Sequence, residues 1–158
     1  MKISNSFCKI IVRLNLIILL LFSLLACQKN IPQTSPETIT NQIIATGYYT
    51  SKEDVSVYLK TFNHLPNNYI TKDEAEALGW DSDKGNLWDI SDKKSIGGDR
   101  FYNREKLLPN ENGILYYECD IDYAGGYRNA QRIVYSNEGY IYYTDDHYVS
   151  FELIFEGE

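Results

Sequence analysis

From Ser51 onward the chain changes character once, at Gly97-Gly98: helix signals fill the stretch before it and strand signals the stretch after it. Ser51 followed by Lys52, Glu53 and Asp54 is a helix start with acids at the positive end of the dipole. Val55, Leu59 and Phe62, with Tyr58 beside them, form its apolar stripe, and the helix must stop before Pro66. Thr71-Lys72-Asp73-Glu74 reads as a capping box, and Gly79 suits the left-handed end of the helix it opens. A short third helix is expected around Asn86–Ile90. Ile114–Tyr123, Gln131–Tyr135, Tyr140–Thr144 and Val149–Phe155 read as strands, with Asn137-Glu138-Gly139 as a hairpin turn. Helices first and strands after imply an α+β domain, helices packed on one antiparallel sheet.

The N-terminal segment has another composition. Residues 1–27 hold Lys2, Lys9 and Arg13, no acid, and a nearly unbroken apolar run from Leu14 to Ala26. A basic start, a short apolar core and a small residue at the break describe an export signal. The ending Leu24-Leu25-Ala26-Cys27 resembles a bacterial lipobox, which would lipidate Cys27 and tie the protein to a membrane. A cleaved secretory signal and an uncleaved anchor are the alternatives; all three export the rest of the chain. The expected organisation is a signal peptide over 1–26, a lipidated Cys27 with a Pro, Gln, Thr and Ser-rich tether to residue 50, and one domain over 51–158. The expected location is the cell surface or periplasm, with release to the outside as a variant.

Losing the three N-terminal cations leaves 12 Lys and Arg against 22 Asp and Glu, a formal charge of −10. Net charge alone speaks against a polyanionic ligand. Cys119 is then the one cysteine left in the folded part, in an alternating strand pattern that suits a small packed residue better than a nucleophile.

Groups suited to chemistry gather late in the chain. Glu118, Asp120 and Asp122 fall on one strand face by the two-residue period, so cations must stand opposite, and Arg128 and Arg132 are the candidates. That set is a row of structural ion pairs, or a groove in which arginines also serve an external anion, or a divalent-metal site, the last disfavoured by the nearby arginines. His147 lies in the loop Asp145-Asp146-His147-Tyr148, either structural or a catalytic group at a strand end. His64, at the end of the first helix, reads as a dipole or surface residue. Lys72 opens the second helix against the dipole, a small local cost. Glu105, after Tyr102-Asn103-Arg104, is either part of an ordinary polar loop or a carboxylate that, beside exposed backbone N–H groups, suits the paired donors of a guanine edge.

Taken together, Leu65-Pro66-Asn67-Asn68-Tyr69-Ile70-Thr71-Lys72, Ala77-Leu78-Gly79-Trp80, Lys94-Ser95-Ile96-Gly97-Gly98-Asp99, Asn103-Arg104-Glu105, Arg128-Asn129, Arg132-Ile133 and Thr144-Asp145-Asp146-His147-Tyr148 resemble the barnase-like, guanyl-preferring bacterial ribonucleases. The likeness runs from about Val55 to Ile154 without a gap. It implies the microbial ribonuclease fold, three helices on a five-stranded antiparallel sheet. It also implies a monomeric, metal-independent endoribonuclease with no cofactor, which cuts single-stranded RNA after guanosine.

Carried over by position, the resemblance makes Glu118 the general base and His147 the general acid. Lys72, Arg128 and Arg132 become the cations at the phosphate, Asp120 the carboxylate that holds the arginines, and Asp99 a residue shaping the site. Tyr102, Asn103, Arg104 and Glu105 become the guanine-reading loop, and Tyr148 the aromatic beside the acid. Ile114 and Gly139 depart from the family at fold-supporting positions. Leu107, Glu111 and Tyr117 stand where it has cations, and Tyr102 replaces a serine and is expected to narrow or extend the guanine subsite. Two further readings are a non-enzymatic surface binding module on this scaffold, and a toxin partnered by a small acidic protein inhibitor.

Overall fold

The computed structural model describes residues 42–157. The expected signal peptide, the lipidated Cys27 and the tether as far as residue 41 lie outside the described residues.

Helix α1 (Lys52–Phe62) forms where the acids and apolar spacing place it. The Ser51 hydroxyl accepts a hydrogen bond from the Asp54 backbone at 3.1 Å, a cap worth about 1 kcal/mol. Asn63 closes the helix in the left-handed region, φ 57°. His64 comes after that cap, with its ring edge against Tyr58. Helix α2 (Lys72–Ala77) carries both halves of the capping box between Thr71 and Glu74. Helix α3 is a single turn, Leu87–Ile90.

Six strands make one sheet in sequence order: β1 (Tyr69–Ile70), β2 (Ser95–Phe101), β3 (Tyr116–Asp120), β4 (Arg132–Ser136), β5 (Ile141–Thr144) and β6 (Glu152–Phe155). β2 to β6 are the expected antiparallel set of five. The correction is β1, a two-residue edge strand running parallel to β2. It is held there by Asn68, whose amide donates to the Tyr49 carbonyl at 2.9 Å and accepts from the Tyr49 N–H. Two residues are too few to show a period, so the pattern was silent.

β2 also starts before the expected change of character and runs through both glycines. At Gly97 an added Cβ would lie 2.6 Å from Cys119 Cβ, so only a bare backbone lets β2 approach β3 this closely. Gly98, φ 99°, forms a bulge that shifts the register between Gly97 and Asp99. β3 ends at Asp120. Asp122 has left the strand, with φ 53° and its side chain exposed, so the expected row of three carboxylates is a pair.

The sheet is covered on both faces. Val55 and Leu59 of α1 pack on Cys119, Ile133 and Ile141. On the other face Tyr116, Val134 and Tyr142 pack with Leu108, Phe101, Tyr148 and Phe151. Cys119 is buried as expected of a packing residue, and burial pushes its thiol far above the usual value. The domain's packing begins before the expected boundary at Ser51: Tyr49 lies against the α1 core, and the Tyr58 hydroxyl donates to the Ala45 carbonyl.

Candidate active site

β3 presents Glu118 and Asp120 on the face away from α1, and β4 sets Arg132 directly across from Asp120. The Asp120 carboxylate is wholly out of water. Arg128 reaches it as a fork, Nε to Oδ2 at 2.8 Å and Nη2 to Oδ1 at 2.6 Å. Arg132 Nε stands 2.9 Å from Oδ1, and its Nη1 donates to the carbonyls of Asn129 and Gln131. Two guanidinium groups on one carboxylate leave a local excess of positive charge. They open onto a cleft of about 430 Å³ whose wall also includes Tyr127, Asn129 and His147.

Beside that cluster, Glu118 is 7% exposed and held at both oxygens. Lys72 Nζ donates to Oε1 at 2.6 Å, and the Tyr148 hydroxyl donates to Oε2 at 2.5 Å. Burial pushes the Glu118 carboxyl up, but the Lys72 and Tyr148 bonds outweigh it, so the net shift is downward. Glu118 therefore stands ionised at neutral pH. Burial and the bond to Glu118 push the Tyr148 phenol upward, keeping it a donor.

Lys72 at the start of α2 is offset by Asp99. That carboxylate accepts the Lys72 backbone N–H at 3.1 Å and lies 4.0 Å from Nζ, placing negative charge at the helix terminus. The bulge at Gly98 turns Asp99 to this position.

His147 is exposed on the β5–β6 loop, its ring 4.7 Å from the Tyr148 ring. His147 and Tyr148 both adopt positive φ, 58° and 71°. Asp146 fixes this conformation. Its Oδ1 accepts from the Thr144 hydroxyl at 2.8 Å and from the N–H groups of Val149 and Ser150 at 3.0 Å, and its Oδ2 from the Ser150 hydroxyl at 2.6 Å. The Ser150 bonds lead in lowering the Asp146 carboxyl to about 2. Sequence reasoning passed over Asp146 as a site residue. Its signal was an acid set between the hydroxyl residues Thr144 and Ser150, a spacing that lets one carboxylate collect a whole turn.

The loop carrying Glu105 is built on Asn103, buried with φ 44°. The Asn103 side chain donates to the Leu108 carbonyl and accepts the Leu108 N–H, while its own carbonyl accepts from Lys106. This ties off a turn with Arg104 and Glu105 exposed at its tip. Phe101 links the loop to the rest, its ring 5.2 Å from that of Tyr148. The structure thus brings Lys72, Asp99, Glu118, Asp120, Arg128, Arg132, His147 and Tyr148 into one connected set. Tyr102, Asn103, Arg104 and Glu105 form an adjoining loop.

A buried, ionised carboxylate, fixed cations and an exposed imidazole beside one cleft define a site for acid–base chemistry at an anionic centre. Residues 52–154 match the ribonuclease family, and the chain belongs to it: a family of RNA-cleaving enzymes. Its relatives include the ribonucleases of Bacillus intermedius and Bacillus pumilus. Each is 44% identical over 122 residues, 77% of this chain and 75% of the relative. The ribonuclease of Heyndrickxia coagulans is 51% identical over 102 residues, 65% of this chain and 94% of that protein.

Proposed function

We propose that this ribonuclease is an exported, metal-independent endonuclease that cuts single-stranded RNA after guanosine, and that Glu118 and His147 exchange the protons. Glu118 takes the proton of the guanosine 2′-hydroxyl as that oxygen attacks the adjacent phosphorus. The bond from phosphorus to the 5′-oxygen breaks, and His147 gives its proton to the leaving oxygen. The product is a 2′,3′-cyclic phosphate. Water then opens the ring with the roles reversed, His147 accepting the water proton and Glu118 returning one to the 2′-oxygen.

Lys72, Arg128 and Arg132 stabilise charge that grows on the phosphoryl oxygens, where they bind the transition state better than the ground state. Lys72 has a second effect. When its ammonium turns to a phosphoryl oxygen, Glu118 loses the partner that depressed its carboxyl and becomes a stronger base. Asp120 holds Arg128 and Arg132 in place. The carboxylate of Glu105 accepts from guanine N1 and N2, and the backbone N–H groups of the Tyr102–Arg104 segment donate to O6. Tyr148 orients Glu118 and lies against His147.

The observation that carries this reading is Glu118, held ionised between Lys72 and Tyr148 beside a cleft shared by Arg128, Arg132 and His147. Cleavage of oligonucleotides containing one GpN step tests it. Glu118→Ala and His147→Ala serve as controls, and one arm contains a chelator. Wild-type cleavage after guanosine that survives chelation and is lost in both variants is expected. No cleavage, or cleavage undiminished in both variants, would overturn it.

The Leu24-Leu25-Ala26-Cys27 motif supports a lipid anchor at the cell surface or periplasm. Incorporation of labelled fatty acid into the wild type, lost in Cys27→Ala, is the expected outcome.

A further inference from the structure

We propose that Tyr117, Arg100, Tyr102 and Arg104 form a stacking track for unpaired nucleotides on the 5′ side of the guanosine. This rests on the RNA-cleaving reading above and extends its binding site. The four side chains alternate ring and guanidinium. The Arg100 guanidinium lies 5.2 Å from the centre of the Tyr117 ring and 5.9 Å from that of Tyr102, and Arg104 lies 5.6 Å from Tyr102. Beyond Tyr117 the series is backed by Tyr135, stacked at 5.7 Å and 29°.

The track has a definite course. Arg100 and Tyr117 are register partners on β2 and β3, on the sheet face opposite Glu118. Tyr102 and Arg104 carry the series over the end of β2 into the turn that holds Glu105. With the guanosine on that turn and the following phosphate in the Arg128–Arg132 cleft, the track takes the preceding nucleotides over Tyr102, the exposed ring next to the turn.

Three observations favour a nucleic acid strand as the occupant. Tyr102 is 68% exposed, a large planar face offered to solvent. Among the described residues, no carboxylate stands within 4.0 Å of the Arg100 or Arg104 guanidinium, although acids outnumber cations in this domain. Arg100 Nη1 is buried without a hydrogen-bond partner, so rings hold this cation where an acid would ordinarily do so. Bases stack on aromatic and guanidinium planes with little regard to sequence, and the phosphates between them meet the two cations.

The test uses the full chain and three RNAs: the dinucleotide GpU, GpU with four adenosines added 5′, and GpU with four added 3′. The 5′ extension is expected to raise kcat/KM by about tenfold or more, the gain one or two stacked bases supply. Tyr117→Thr and Arg100→Ile should remove that gain while leaving the dinucleotide rate and any 3′ gain unchanged; Tyr117→Phe should keep it. A non-cleavable deoxy analogue of the 5′-extended strand, followed by fluorescence anisotropy, should bind about tenfold more weakly to Tyr117→Thr and Arg100→Ile than to wild type. Where RNA is cleaved, a 5′ gain that is absent in wild type or equal in the variants overturns the track, as does failure of wild type to bind the analogue. If no RNA is cleaved, the catalytic reading is overturned and binding decides the track: weaker binding of the analogue by Tyr117→Thr and Arg100→Ile than by wild type keeps it, and equal binding overturns it.

Discussion

The ammonium of Lys72 and the carboxylate of Glu118, 46 residues apart in sequence, meet at 2.6 Å and make the shortest ion pair linking α2 to β3. Because that pair and the Tyr148 bond depress the Glu118 carboxyl, the acid limb of kcat/KM for GpU cleavage should fall below the ordinary glutamate value of about 4.3. The associated stability is present above that ordinary value and is lost as pH falls through the depressed one. In Lys72→Met the bond and charge that Lys72 supplies to lower the Glu118 carboxyl are gone while burial still raises it, so the limb should move up, together with a fall in kcat. A pH–rate profile of both proteins checks the direction.

Tyr148 donates to the other Glu118 oxygen, so Tyr148→Phe removes one charge-assisted hydrogen bond while keeping the ring against Phe101. A loss of about tenfold in kcat/KM is expected, with the acid limb again displaced upward. Thermal unfolding should change far less than activity, since the ring still packs.

Asp120 pairs with two guanidinium groups in a water-free position and offsets half of their charge. Asp120→Asn keeps the shape and removes the charge, leaving Arg128 and Arg132 facing each other. A destabilisation of about 3–5 kcal/mol is expected, read as a lower Tm. Arg128→Ala leaves Asp120 paired with Arg132 and should cost less stability while lowering kcat.

Asp146 ties down the left-handed turn that carries His147. In Asp146→Ala that turn loosens; with His147 as the proposed proton donor, its misplacement should cost about a hundredfold in kcat, with KM little changed. Since the Asp146 carboxyl is lowered to about 2, the wild-type loop should stay closed down to that pH and open only as the pH falls through it. Resonances of the His147 ring during an acid titration report the opening.

Gly97 allows β2 to lie against Cys119 and Tyr69. Gly97→Ala should destabilise the domain by about 1–3 kcal/mol through overpacking, measured by denaturant unfolding. It should leave the pH profile of the remaining activity unchanged.

Local signals determined much of this protein. The caps at Ser51 and Thr71, the apolar stripe of α1 and the alternation of β3 to β5 are short-range effects, written where they act. The resemblance likewise named the residues of the site, because side-chain chemistry is a property of the sequence. Tertiary structure decided what those residues do to one another. It added β1, too short for any period, and ended the carboxylate row at Asp120. It paired Glu118 with a lysine 46 residues away and a tyrosine 30 away, which set the direction of its titration. It also gave Asp146 its role and lined up Arg100 of β2 and Tyr117 of β3 with Tyr102 and Arg104 of the turn after β2. A pattern along the chain reports burial and hydrogen bonding between neighbours in sequence. Charge coupling and desolvation depend on distances across the fold, and those exist only once the sheet has formed.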